Sequence, residues 1–211
     1  MVIAIVVICL GIHEAAHAWV ALKRGDTTAR DLGRITLNPV PHIDPFMTIL
    51  LPVVTYLTVG FPFGGAKPVP VNFYNLRHPF RDMALVALAG PGSNFLLAVL
   101  FFLCQKVFVV ELGWWHSYAM ADNVLTWAVV LNLILAAFNL LPIPPLDGSR
   151  VMAWILPKSL RASYVQLESF GLLLVVGFIF LWREKAMLII HDMVRVLFEG
   201  VHAIVTLGGQ W

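Results

Sequence analysis

Residues 1–22, MVIAIVVICLGIHEAAHAWVAL, carry a single formal charge at Glu14. At 1.5 Å per residue such a run makes a helix about 33 Å long, enough to cross the roughly 30 Å hydrocarbon core of a bilayer. Further apolar runs follow at 45–61, 80–110, 123–143 and 162–182. Lipid offers a peptide group no hydrogen-bond partner. The chain is therefore confined to helices, with irregular backbone only where protein or a water-filled cavity receives it. Composition agrees: 60% of the 211 residues are hydrophobic and 12% are charged, against about 25% charged in a soluble domain. The net charge of +2 is not gathered into a basic tail, which speaks against nucleic acid as a partner. Cys9 and Cys104 lie in separate apolar runs and give neither a disulfide framework nor a metal-type spacing. Residues 1–12 lack the basic start and small-residue cleavage site of a signal peptide, so the first run reads as a retained helix.

The fold class predicted is an all-α polytopic membrane protein. Residues 1–150 form a three-helix core, with helices at about 1–22, 80–110 and 123–143 and a re-entrant element at 45–61. Two short stretches, RITL (Arg34 to Leu37) and VPVNFY (Val69 to Tyr74), have the alternation of strands and could pair as a hairpin. Residues 151–211 supply C-terminal membrane and interfacial helices. The tail at 186–207 spaces His191, Asp192, Arg195, Glu199 and His202 along an amphipathic helix.

Inside the first run stands HEAAH, His13 to His17. Residues i and i+4 share one helix face, so both imidazoles can reach one ion. This is HExxH, two zinc ligands with a glutamate, Glu14, as general base. Ionisable groups within a membrane helix are costly and by default functional. Catalytic zinc takes three protein ligands and keeps a fourth position open, so one ligand must come from elsewhere. The candidates are Asp147 in NLLPIPPLDGSR, Glu168 in the 162–182 run and Glu111 in a loop. Pro142, Pro144 and Pro145 must unwind the helix end before Asp147.

Topology bears on that choice. Placing Lys23, Arg24, Arg30 and Arg34 in the cytoplasm puts the two histidines in the inner half of the first helix. If 45–61 dips in and returns, the third long helix delivers Asp147 to the histidine side. Lys67, Arg77, Arg81, Arg150, Lys158 and Arg161 then also become cytoplasmic. If 45–61 crosses, Asp147 ends on the opposite side. The re-entrant reading is the one the charges favour.

HEAAH, GPGSN (Gly90 to Asn94) and NLLPIPPLDG after the third long helix together resemble the site-2 proteases, which are zinc intramembrane metalloproteases. The resemblance covers residues 5 to 150. GRITLNPVPHIDP is similar to the stretch after the catalytic helix in compact prokaryotic members. The chain has no stretch of the roughly 100 soluble residues that an inserted PDZ-like domain needs, so a compact form without one is expected. The resemblance implies one zinc per chain on His13, His17 and Asp147, with Glu14 as catalytic base. Asn139 is expected near the reacting atoms as an oxyanion donor, and Asn94 among substrate-binding residues. The expected activity is hydrolysis of peptide bonds within or near transmembrane segments, as in regulated intramembrane proteolysis. The expected substrate is a single-span membrane protein, and the site is expected to face the cytoplasm from a prokaryotic cytoplasmic membrane. A substrate unwound into an extended strand could add to Arg34, Ile35, Thr36 and Leu37. Two other readings compete: a membrane metal transporter, and a zinc protease of the CAAX-processing type with Glu168 as third ligand.

Overall fold

The computed structural model describes residues 2–59, 64–111 and 119–206. The chain is mostly helical. Helix α1 (Val2–Arg24) ends on Lys23 and Arg24, cations that complement its carbonyl end. The single turn α2 (Thr28–Asp31) follows. A π-helical turn at Pro45–Leu50 runs into α3 (Leu51–Val59). Helix α4 (Pro79–Cys104) starts with proline at its first turn, where no amide hydrogen is needed, and continues as a π-helical segment at Gln105–Glu111. Helix α5 (Ala119–Asn139) precedes the proline turn. The C-terminal part contains α6 (Asp147–Ile155), α7 (Lys158–Gln166), α8 (Gly171–Leu181) and α9 (Arg183–Thr206). Among the described residues, Ala4–Arg24, Pro79–Phe108 and Lys158–Leu181 are long and apolar enough to cross a membrane. Pro45–Leu57 and Asn123–Asn139 are shorter apolar helices.

Helix α4 is the hub, packed against α1, α5, α6 and α9. Small side chains let the backbones approach closely: Ala18 and Ala21 on α1, Ala84, Ala87 and Ala98 on α4, and Ala128, Ala136 and Ala137 on α5 are all buried. Lipid tails are as apolar as leucine, so close packing rather than hydrophobic exclusion must hold such helices together. Helix α9 joins this assembly through Val201, with Val194, Leu197 and Val205 around it, against Ala98 of α4 and Val129 and Leu133 of α5. Large apolar side chains such as Leu96, Leu100, Trp127, Leu173 and Leu181 point outward, as a bilayer-facing surface requires.

The segment expected to re-enter returns to its own start. Gly65 N donates to Met47 O at 3.0 Å, and Thr48 Oγ1 donates to Gly65 O at 2.7 Å. The two ends of the excursion therefore adjoin. Positions 60 and 61 of the expected element lie outside the described residues.

The expected strands are not formed: among the described residues there is no β-ladder. Residues 34–36 and 69–72 have no regular structure, Phe73–Asn75 closes into a 3-10 turn, and two backbone donors of the second stretch are taken by side chains. Val69 N donates to Glu14 Oε2 at 2.7 Å, and Asn72 N donates to Asp26 Oδ2 at 2.7 Å. The first stretch is tethered through a side chain, Arg34 Nη2 donating to Lys67 O at 2.9 Å. Alternation in these stretches did not make strands. Carboxylates on and just after α1 outcompeted a partner strand for amide hydrogens of the second stretch.

Asp26 is fully buried and accepts from Thr28 N at 3.1 Å, Thr28 Oγ1 at 2.5 Å, Asn72 N at 2.7 Å and Asn75 Nδ2 at 3.0 Å. Burial pushes its carboxyl pKa up, but the donors from Thr28, Asn75 and Asn72 outweigh this and hold it below its ordinary value. A depressed folded pKa contributes stability that is present above the unfolded value and is lost as pH falls through the folded one. Asp26→Asn is expected to cost about 1–3 kcal/mol at neutral pH. Thermal unfolding of both proteins at pH 7 and at progressively lower pH should show the gap closing in acid. A gap independent of pH would mean the charge is not what stabilises this junction.

Candidate metal centre

HExxH does what its spacing predicts. On α1, His13 Nε2 and His17 Nε2 lie 3.0 Å apart, with both side chains buried. The third group arrives by way of the proline turn. Helix α5 stops at Asn139, Leu140–Leu146 turn back, and Asp147 opens α6. A Cβ on Gly148 would lie 2.5 Å from Leu141 O and closer still to Leu140 O, so only glycine lets α6 start against that turn. Asp147 Oδ2 then stands 3.2 Å from His13 Nε2 and 3.3 Å from His17 Nε2.

These three atoms can hold an ion. Neighbouring ligands in a tetrahedral zinc site with bonds of about 2.0–2.1 Å are about 3.3 Å apart, and the three separations here are 3.0, 3.2 and 3.3 Å. Asp147 Oδ2 is buried with no hydrogen-bond partner although two imidazole nitrogens adjoin it. His17 Nδ1 lies 2.7 Å from Val86 O. A carbonyl only accepts, so Nδ1 carries the hydrogen and Nε2 keeps its lone pair for the cluster. His13 Nδ1 lies 2.6 Å from Asn94 Oδ1. Outer partners of this kind are what orient metal-binding imidazoles. Among the described residues, His13, His17 and Asp147 form the one such group.

Gly90 closes the site from α4. A Cβ there would lie 2.5 Å from His13 Nε2 and closer still to His17 Nε2. Since the rings are tethered at their far nitrogens by Asn94 and Val86, they cannot swing aside freely. Gly90→Ala is expected to displace both imidazoles and lower cleavage roughly 100-fold, the scale of a misplacement of about 1 Å. Activity within the error of wild type, measured with zinc bound, would show the rings to be free.

Glu14 is one residue from His13, and its Oε2 is fixed by Val69 N. Asn94 is at the site, but against His13 rather than exposed to a substrate. Asn139 donates to Leu135 O at 2.9 Å, one turn back on its own helix. Ile35, Thr36 and Leu37 line a cavity of about 310 Å³ with Ile12, Ala16 and Trp19 of α1, and Arg34 is held by Lys67 O. Glu168 is paired with Arg150 and is not part of the cluster. The side chain of Glu111 lies outside the described residues. Sequence reasoning missed Gly90 as a steric partner, Val69 as the anchor of Glu14, and Asn132, which accepts from Asn94 Nδ2 at 2.9 Å. Asn132 was findable: it is an amide in an apolar helix, seven residues before Asn139 and so nearly on the same helix face.

Comparison with known proteins places the chain in a family. A profile of peptidase family M50 matches residues 1–114 and 106–182. The chain is 42% identical over 167 residues to YwhC of Bacillus subtilis (strain 168), a protein provisionally named a zinc metalloprotease, covering 78% of this chain and 73% of that one. It is 31% identical over 178 residues to Rip2 of Mycolicibacterium smegmatis, named in the same provisional way, covering 83% of this chain and 65% of the relative, just under two thirds. A third relative, MJ0611 of Methanocaldococcus jannaschii, is 38% identical over 110 residues, about half of each chain. No solved structure matches. With a family profile spanning most of its length, the chain belongs to peptidase family M50, the site-2 proteases, and is a membrane metalloprotease.

Proposed function

We propose that this chain hydrolyses peptide bonds within or near transmembrane segments of membrane-protein substrates, holding one zinc ion on His13, His17 and Asp147. The observation that carries the reading is the cluster itself: two imidazole nitrogens on a helix apolar enough to cross a bilayer and a carboxylate oxygen from the start of α6, mutually 3.0–3.3 Å apart. Zinc, when bound, polarises the scissile carbonyl and makes water nucleophilic near neutral pH. Glu14 accepts the proton of the attacking water and delivers it to the leaving amine. The Val69 amide fixes one oxygen of the Glu14 carboxylate, so the base meets the water in one orientation. Gly90 brings the α4 backbone against both imidazoles and so walls one side of the site.

A transmembrane helix satisfies its own backbone, so it must unwind before its carbonyls can be attacked. The unpaired segment Arg34–Leu37 and its adjoining apolar cavity are the place proposed to receive it, by strand addition. A cytoplasmic placement of the site is supported by Lys23, Arg24, Arg30 and Arg34 at and after the end of α1. The adjoining ends of the 47–65 excursion support a re-entrant element. Comparing membrane proteomes of cells carrying wild type and Glu14→Gln tests the function: single-span fragments should accumulate uncut only with the variant. Identical proteomes under conditions that express the protein would overturn the reading.

A further inference from the structure

A chain of buried amides runs behind His13, and its direction is imposed at its far end. Asn132 on α5 lies with Nδ2 2.8 Å from Ala128 O and 3.1 Å from Cys9 Sγ. Its Oδ1 lies 2.9 Å from Asn94 Nδ2 on α4, and Asn94 Oδ1 lies 2.6 Å from His13 Nδ1 on α1. Both asparagines are 0% exposed, so no water competes for these groups.

A backbone carbonyl can only accept. If Asn132 were turned over, its oxygen would face Ala128 O, two buried acceptors without a hydrogen between them, at a cost of about 1–3 kcal/mol. Asn132 must therefore point its amide at Ala128 and its oxygen at Asn94. Asn94 must then donate Nδ2 and present its own oxygen to His13. His13 must in turn donate from Nδ1, which leaves Nε2 as a bare lone pair facing His17 and Asp147.

We propose that Asn132 is a positioning residue that sets the hydrogen-bond polarity of the site, fixing through Asn94 the His13 tautomer that can bind a metal. His17 receives the same instruction directly from Val86 O. Neither asparagine meets the ion or substrate in this assignment. It rests on the zinc reading for its purpose, but the tautomer itself is a property of the metal-free chain.

The test uses the full chain in detergent or lipid, with ¹⁵N-labelled histidine and the His13 resonances assigned by His13→Gln. In metal-free wild type, His13 should be the Nδ1–H tautomer. Asn132→Leu, similar in volume, frees Asn94 to turn over; the tautomers should mix, and zinc affinity by chelator competition should fall roughly 10- to 100-fold. Asn132→Asp is the discriminating variant. An aspartate here accepts with both oxygens when ionised or, when protonated, places its one hydrogen on Ala128 O; in both forms it accepts from Asn94 Nδ2, and the tautomer should survive. A purely structural role predicts the reverse, with the buried aspartate at least as damaging as leucine. An Nε2–H tautomer in wild type, or an Asn132→Leu protein with unchanged tautomer and affinity, overturns the assignment. Wild type with the Nδ1–H tautomer but no zinc uptake overturns the zinc reading alone and supports the polarity.

Discussion

Glu14→Gln should bring cleavage of a reconstituted single-span substrate down by about 100- to 10,000-fold, the contribution of a positioned general base, while zinc content stays that of wild type. The glutamine keeps the size of the side chain and can still accept from Val69 N through its carbonyl oxygen. What it loses is the capacity to take a proton from water. Because none of the three clustered atoms belongs to Glu14, the metal centre should be untouched. Cleavage at the wild-type rate in the purified, zinc-loaded variant would remove Glu14 from the chemistry. Loss of zinc along with activity would instead make it part of the metal's environment.

The second large effect is at the third ligand. Asp147→Ala should weaken zinc binding by more than the roughly 10- to 100-fold typical of losing an outer-sphere partner, since it removes a group 3.2 and 3.3 Å from the two imidazole nitrogens. Glu168→Ala should leave zinc in place, because Glu168 is committed to Arg150. Metal analysis of the two purified variants decides between them. Zinc kept by Asp147→Ala and lost by Glu168→Ala would move the chain to the CAAX-type arrangement.

The parts of this site that could be read from the sequence were those with rigid local periodicity. His13 and His17 meet because an α-helix repeats every 3.6 residues. Asp147 could be singled out because the three prolines around it must break a helix where lipid allows no loose backbone. What could not be read depends on contacts between distant segments. Gly90 matters because α4 presses its backbone onto the histidine rings, and nothing in GPGSN states which rings those are. Asn132 matters through a carbonyl four residues back on its own helix and an amide 38 residues away. The strand expectation failed for a related reason. Alternation did not make strands here, because whether amides find a neighbouring strand or the carboxylates of Glu14 and Asp26 is decided by tertiary placement. The third long helix also ends earlier than the apolar run does, at Asn139 rather than 143, since hydropathy continues through a turn that proline geometry does not.

If His13, His17 and Asp147 hold a single zinc ion, metal analysis of the purified full chain should give one zinc per chain, and X-ray absorption at the zinc edge should show two imidazole ligands and oxygen donors, all at about 2.0–2.2 Å. A sulfur shell at about 2.3 Å, or a histidine count other than two, would contradict that centre.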